Sequence, residues 1–341
     1  MKRQRSLQPH PRSSAADADH SLAVRGTDLQ KAMEHVAAIA GDNPVHAFET
    51  AMHAVTSQLA QGAASGGAPA YAPGPMHGPG RAGLLHRRAG SSMDCFADVA
   101  IARMESGWAL NATDLLGISA NPGEMGEWYV LTPGEQGGRR AFRIDANAAG
   151  LRLHPAPPAA RSTPFNAHLL SLDNVRVADD DAWDLGPAQA PSETFMRLVS
   201  VYRAMAAALC CGLGRATRSI LSAPAIPATA RGAVPAARQA RSGQQLGKID
   251  ALLLTSDIVM RGIASDLARE RPFPQASSTR LHRLAVDSSL AAVSLAWRGG
   301  IRETHTGFAS LRRYRRDALA VAALMAVLMA VLDGVDVPTP A

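Results

Sequence analysis

The feature that most constrains this chain is the helical periodicity of its C-terminal part. After residue 191 the sequence becomes rich in Ala, Leu and Arg, with apolar residues recurring about every 3.6 residues. There are four periodic segments, and they cover 192–222, 242–269, 276–298 and 309–333. Loops that contain Pro separate the first three of them. Because each such helix buries one apolar stripe, four in succession predict a helical bundle.

The middle of the chain has the pattern of β-strands. Short apolar or alternating segments are bounded there by Gly, Pro, Asn and Asp, and they are WYVLT (128–132), RAFRI (140–144), LRLH (151–154) and LLSLDNVRV (169–177). Their spacing is typical of antiparallel sheets. The sequence therefore predicts a small antiparallel β domain between two helical regions.

The N-terminal part is predicted to be helical, with a long linker after it. Asn43 and Pro44 form a cap and a first-turn proline between two periodic segments. The stretch from 61 to 90 is rich in Gly, Pro, Ala and Ser, a composition that cannot bury a core. The predicted organisation is a disordered tail (1–27), a truncated N-terminal helical domain (28–60), a linker (61–90), a β domain (91–187), a C-terminal helical bundle (188–335) and a short tail (336–341).

Charge and cysteine content narrow the possible partners and compartment. Lys and Arg number 35 against 29 Asp and Glu, and this small excess gives little reason to expect nucleic-acid binding. Cys95, Cys210 and Cys211 are too few for a disulfide framework and lack zinc-ligand spacing, so a reducing cytoplasm fits best. The apolar run from Ala318 to Leu332 is shorter than the roughly 20 residues of a membrane span, which favours a buried helix.

Two histidines on the second predicted helix are candidate metal ligands. His46 and His53 could share one helix face, with Glu49 between them. Two turns of helix place them too far apart to bind a single metal ion, and a pair of partly exposed histidines is the simpler interpretation. The sequence therefore predicts no metal site.

Four stretches, in order along the chain, resemble segments of the acyl-CoA dehydrogenase superfamily. They are GDNPVHAFETAMHAV (41–55), GWALNATDLLGISANPGEMGEWYVLTP (107–133), ARSTPFNAHLLSLDNVRVADDDAW (160–183), and the pair of glycines at 299–300 with ASLRRYRRDAL (309–319). The resemblance spans residues 29–335. It implies a mainly α fold with a central β domain: N-terminal helices, a small antiparallel β domain and a C-terminal four-helix bundle.

The resemblance also implies FAD as cofactor and assigns residues to its ring. Ser119 matches the family's hydroxyl near the N5 and O4 edge of the flavin, with Leu116 or Gly117 where an aromatic residue usually lies. Gly90 and Ser91 look like the remnant of a motif that approaches the phosphates and ring. Taken without the resemblance, Ser119 reads as a serine of a strand, and Gly90 and Ser91 as the end of a linker.

The other end of FAD has its own candidate residues. Family members bind the pyrophosphate through an arginine in the loop after the first long C-terminal helix, where Arg241 is the best placed of three arginines here. A solvated loop arginine is the alternative interpretation of Arg241. Gly299 and Gly300 match the turn at which a neighbouring subunit approaches the adenosine end, so the family assembles through its bundles and a homodimer or homotetramer is expected.

The catalytic residue of the dehydrogenases is not found. The resemblance places the general-base glutamate at Met325, or in other branches at Met196, and methionine cannot accept a proton. The expected function is a FAD-dependent oxidoreductase acting on an acyl thioester, bound to CoA or a carrier protein, with an electron-transfer or flavin-reducing partner. The alternatives are a flavin-dependent monooxygenase of the same fold, which needs no such base, and a non-catalytic binding or assembly module.

Overall fold

The structure is a computed structural model of the 341-residue chain. It describes residues 26–64, 81–87, 99–119, 121–133, 138–154, 167–187, 190, 192–222, 236–268, 275–298, 312–313, 315–316 and 318–319.

Two helices begin the described chain, as the sequence predicts. Helix α1 covers Gly26–Ile39 and helix α2 covers Pro44–Ala64. The Asn43 side-chain oxygen accepts a hydrogen bond from the His46 backbone N–H at 3.1 Å, and Pro44 occupies the first helical position. This cap defines where α2 starts, and with it which side chains of α2 face the rest of the protein.

Eight strands form one sheet in the described residues. In chain order they are β1 (Arg81–Arg87), β2 (Ala100–Met104), β3 (Gly107–Ile118), β4 (Met125–Pro133), β5 (Arg139–Asp145), β6 (Leu151–His154), β7 (Ala167–Val177) and β8 (Ala182–Asp184). Their order across the sheet is β6-β7-β3-β1-β4-β5-β8, with β2 paired to β3. The four strand segments identified in the sequence all lie within these strands.

Strand β1 corrects two predictions. It lies inside 61–90, which the sequence predicts to be a linker, and α2 also extends into that range. Leu84 and Leu85 are buried, and β1 pairs with β3 on one side and with β4 on the other. The pairing with β4 is parallel, so the sheet is mixed rather than purely antiparallel. A run this short gains its stability from two neighbouring strands, which the Gly- and Pro-rich local composition does not reveal.

The two faces of the sheet pack against different cores. On one face Leu85, Trp128 and Phe142 belong to a core built from the sheet alone. On the other face Leu84 and Tyr129 join the core formed with the helices. Because neighbouring residues of a strand point to opposite faces, this arrangement accounts for the apolar runs in β1 and β4, whose residues are buried on both sides.

The first helix of the C-terminal bundle lies at its centre. Helices α3 (Glu193–Ser222), α4 (Ala236–Ala268) and α5 (Gln275–Arg298) match the first three predicted segments. Of the fourth, only six positions between 312 and 319 are described, and they are helical. Glu193–Leu221 is long and apolar enough to cross a membrane, but 89% of its most apolar window is buried inside the protein, which is the environment of a core helix.

Gly212 has a packing role in α3. A Cβ atom on Gly212 would meet the backbone carbonyl oxygen of Ala37 in α1 and lie 2.8 Å from the Cβ atom of Ala40, directly after α1. Gly212 therefore lets α1 and α3 approach more closely than any side chain would permit. Gly212 and Gly214 both lie within α3.

We expect Gly212→Ala to destabilise the protein by about 1–3 kcal/mol, because the added methyl group must push α1 away from α3. Gly262→Ala is the matched control, since Gly262 lies in α4 and a methyl group added there meets no neighbouring element of the described chain within 4 Å. That control should be neutral or stabilise by about 0.5–1 kcal/mol. Chemical denaturation of the two variants measures the difference, and equal stabilities would contradict the close helix contact.

Candidate functional site

Ser119 lies directly after β3, where the sheet meets α2. Its hydroxyl donates a hydrogen bond of 2.8 Å to the Oε1 atom of Glu49 on α2. The exposed fraction is 0% for Ser119 and 5% for Glu49, so the pair lies in the protein interior. The serine singled out by the sequence is therefore bonded to a carboxyl group 70 positions earlier in the chain.

The hydroxyl oxygen and the carbonyl oxygen of Ser119 have further partners. Its Oγ atom accepts a hydrogen bond from the Asn121 backbone N–H at 3.2 Å. Its carbonyl oxygen lies 3.2 Å from the Nε2 atom of His168, at the start of β7. The hydroxyl proton, one hydroxyl lone pair and the carbonyl group are thus all engaged within the chain.

Glu49 also approaches a histidine that reaches the surface. The His46 Nδ1 atom lies 3.6 Å from the Glu49 Oε2 atom, and the His46 side chain is 23% exposed. The two residues are one helical turn apart on α2, so they face the same side of the helix. His46, Glu49 and Ser119 therefore form a polar row that runs from the surface to the end of β3.

Sequence reasoning treats Glu49 only as a neighbour of two histidines and misses its role. The signal that could have found it is the high polar content of α2, a helix that lies almost wholly inside the protein. Its buried polar residues are Glu49, Thr50, His53, Thr56 and Ser57, so His53 is buried and not partly exposed as the sequence predicts. The hydroxyls of Thr56 and Ser57 donate to backbone carbonyls of the same helix, whereas Glu49 bonds to another element.

Trp128 accounts for the glycine at position 117. A Cβ atom on Gly117 would lie 2.9 Å from the Trp128 ring and 2.7 Å from a methyl group of Leu170. Trp128, fully buried in β4, therefore fills the space beside β3 that a side chain at 117 would need. The aromatic residue that the resemblance leads one to expect at 116 or 117 is absent, and an indole from the neighbouring part of the sheet lies next to Gly117.

A second buried carboxyl group belongs to a separate network. Glu127 accepts a hydrogen bond from the Tyr129 hydroxyl at 3.2 Å, and its Oε2 atom lies 3.8 Å from Arg143. Arg143 is also bonded to Asp181, and the Tyr129 ring stacks on Trp183. These contacts connect β4, β5 and the segment before β8, so we assign Glu127 a structural role.

The other predicted site residues divide into two groups. Gly90, Ser91, Gly299, Gly300 and Met325 lie outside the described residues. Arg241 is expected from the sequence in a loop before the second bundle helix, but α4 begins at Ala236, so the backbone of Arg241 is helical. The run of Ala, Arg and Gln from 236 to 241 consists of good helix formers, which explains the earlier start. Met196 is half-buried and packs against the helical core.

The neighbouring cysteines of α3 are buried among the bundle helices. Burial raises the pKa of the Cys210 thiol to about 12. Burial likewise raises the pKa of Cys211 to about 12, and the Cys211 thiol donates a hydrogen bond of 2.8 Å to Asp257 of α4. Both thiols remain protonated at neutral pH, as expected of residues that pack in a helix interface.

Comparison with known proteins relates this geometry to a known fold. No protein-family model matches the chain, and no curated protein matches it by sequence. Among solved structures, FkbI, which acts in biosynthesis of the methoxymalonyl extender unit of the polyketide Fk520, superposes with a TM-score of 0.68 at 14% identity. This match covers 90% of this chain and 84% of FkbI.

Two further structures share the fold. Butyryl-CoA dehydrogenase from Megasphaera elsdenii has a TM-score of 0.66 at 13% identity, covering 91% of this chain and 82% of the enzyme. XiaF from Streptomyces sp., solved with FADH2 and glycerol, has a TM-score of 0.63 at 14% identity, covering 94% of this chain and 84% of XiaF. The chain therefore has the acyl-CoA dehydrogenase fold that its sequence motifs imply.

Proposed function

We propose that this chain, which has the acyl-CoA dehydrogenase fold, is a FAD-binding oxidoreductase. The observation that carries the proposal is the fold, which FkbI and butyryl-CoA dehydrogenase share over 90% and 91% of this chain. XiaF, which has this fold, was solved with FADH2. A bound flavin would supply the capacity to accept and donate electrons, and the protein would hold and orient the ring.

The described contacts of Ser119 do not fit a flavin without a change. Its only hydroxyl proton is donated to Glu49, and no part of the residue is exposed. A flavin edge that needs a donor finds none at Ser119 while this hydrogen bond is present.

The proposed substrate is an acyl thioester carried by CoA or by a carrier protein. Butyryl-CoA dehydrogenase acts on the first kind, and a prolyl acyl carrier protein oxidase, AnaB, is among the proteins of this fold. An electron-transfer or flavin-reducing protein is the proposed second partner. Gly90, Ser91, Arg241, Gly299 and Gly300 remain proposed contacts of the phosphates, ring and adenosine of FAD.

One observation favours a second candidate function, a flavin-dependent monooxygenase. Met196 occupies one of the two positions at which the resemblance places the dehydrogenase base, and it packs in the helical core. A monooxygenase of this fold does not require that carboxylate. The chain would then receive its flavin already reduced by another protein.

The first test is FAD binding by the purified full chain. We expect a yellow protein, or an apoprotein that FAD stabilises: at a hundredfold excess over Kd the ligand adds about 2.7 kcal/mol to the free energy of unfolding. Thermal denaturation with and without FAD measures this gain. A colourless protein whose melting temperature does not respond to saturating FAD would contradict the proposed function.

The second test is the oxidation of butyryl-CoA by the FAD-loaded protein in the presence of an artificial electron acceptor. We expect slow or undetectable turnover, because a positioned general base contributes a factor of about 10² to 10⁴ and position 196 is a methionine. Turnover is followed by the bleaching of the acceptor, with FAD-free protein as the control. Rapid turnover would show that another residue acts as the base.

We also propose that the protein is a homodimer or homotetramer assembled through its bundle. Leu254 and Ile258, one turn apart on α4, are 60% and 62% exposed, and Leu284 of α5 is 46% exposed. Large exposed side chains at helical spacing are typical of an interface. Light scattering coupled to size exclusion should give a multiple of 35.7 kDa, and Ile258→Glu should lower it. A folded 35.7 kDa monomer at micromolar concentration would contradict the assembly.

A further inference from the structure

Helix α4 carries apolar residues on two sides. One side is buried in the cores of the bundle, and its residues include Ile249, Leu253, Met260 and Ile263. The other side carries Leu254 and Ile258, which are 60% and 62% exposed, the highest values among the large apolar side chains of the described chain. A helix that packs on one neighbouring layer needs a single apolar face, so the second face of α4 requires a partner.

Small residues extend this exposed side toward the start of the helix. Gly247 and Ala251 are exposed and precede Leu254 and Ile258 at helical spacing, so the four residues form one exposed stripe. A Cβ atom on Gly247 would meet nothing within 4 Å in the described chain. Glycine is a weak helix former, and in the middle of a helix it costs stability unless it allows a close approach. The approach that Gly247 allows comes from outside this chain.

The order of residues along the exposed stripe is self-complementary. The two small residues come first and the two large ones follow. A second copy of α4, laid antiparallel across the stripe with a two-fold axis at its centre, brings Gly247 opposite Ile258 of the partner subunit and Ala251 opposite Leu254 of the partner subunit. Each large side chain then lies over a small residue. A parallel copy in register would instead place Ile258 against Ile258 and leave a gap at the two glycines.

The position of this axis also suits the whole helix. It lies at the middle of α4, which covers Ala236–Ala268, so the two copies overlap along their full length. Beyond the exposed stripe the same axis brings Gly262 opposite Gly243 of the partner subunit, and a methyl group at 262 therefore faces no side chain.

Charged residues beside the exposed stripe do not oppose this contact. The stripe itself contains no charged residue. Asp250 and Asp257 of α4 lie next to it, and each is paired with an arginine of α3, Arg218 and Arg215 respectively. A second copy can thus approach without burying an unpaired carboxylate.

We propose that the exposed stripe is the contact between two copies of this chain, which pack antiparallel through α4 about a two-fold axis. An unrelated partner would require no match between the two halves of the stripe, whereas here the small half fits the large half. This inference rests on the proposed assembly through the bundle and names its contact surface and geometry. It does not depend on FAD.

The first experiment is cysteine cross-linking in the full chain carrying Cys95→Ser, with the buried thiols of α3 left in place. Leu254 lies beside the axis, so Leu254→Cys should give a disulfide-linked dimer on mild oxidation. Gly247→Cys alone and Ile258→Cys alone should not, because copies of the same residue lie about 16 Å apart along the helices. Disulfides need Cα atoms within about 7 Å. Co-expression of the last two variants, with different tags, should give a cross-linked heterodimer.

The second experiment fills the space that Gly247 leaves. Gly247→Leu should raise the dissociation constant of the dimer at least tenfold, measured by sedimentation, because Ile258 of the partner subunit loses its seat. Lys248→Leu is the matched control, since it adds the same side chain one position along and off the exposed stripe. It should leave the constant within about twofold. Leucine forms helices better than glycine, so circular dichroism should show no loss of helix in either variant.

The outcomes separate the contact from the assembly itself. The expected cross-links together with a weakened dimer in Gly247→Leu support the inference. Self-cross-linking of Gly247→Cys would show a parallel contact and overturn it. An oligomer that Leu254→Cys does not cross-link and Gly247→Leu does not weaken overturns the inference and leaves assembly through another surface. A folded monomer overturns both.

Discussion

The hydrogen bond between Ser119 and Glu49 joins the N-terminal helices to the sheet at the point where β3 ends. A carboxyl group buried in the interior is costly unless it is hydrogen-bonded, so this contact constrains both the register of α2 and the end of β3. The Asn43 cap fixes the start of α2, and the apolar residues of α2 that pack in the core fix the face on which Glu49 lies. The candidate site at Ser119 and the packing of α2 on the sheet thus involve the same pair of residues.

Most of the framework could be predicted because it depends on local patterns. Apolar periodicity identified α1 to α5, and short alternating runs identified β4 to β7. Strand β1 was not predicted, because its seven residues are stabilised by pairing with β3 and β4. Both of these strands lie later in the chain, so the local sequence does not reveal the pairing. The start of α4 was predicted at 242, six residues after its observed start at Ala236, although the intervening run of Ala, Arg and Gln consists of good helix formers.

The site itself was only half predictable. Ser119 was found because a resemblance in sequence singled out its position. Glu49 was not, since a carboxylate on a helix usually faces solvent and only the three-dimensional fold places it against a serine 70 residues later. The contacts of Ser119 are likewise long-range. Which hydrogen-bonding atoms of a residue are already engaged is a property of the packed structure, and here it decides how a flavin could reach Ser119.

The measurement that tests this account most directly is a double-mutant cycle on the stability of the ligand-free protein, using Glu49→Ala, Ser119→Ala and the combination of the two. If the two side chains are bonded as described, their effects on the free energy of unfolding should be coupled by about 1 kcal/mol or more, the contribution expected of a buried hydrogen bond. Additive effects, within about 0.5 kcal/mol, would show that the two side chains do not interact and would contradict the closed arrangement at the end of β3.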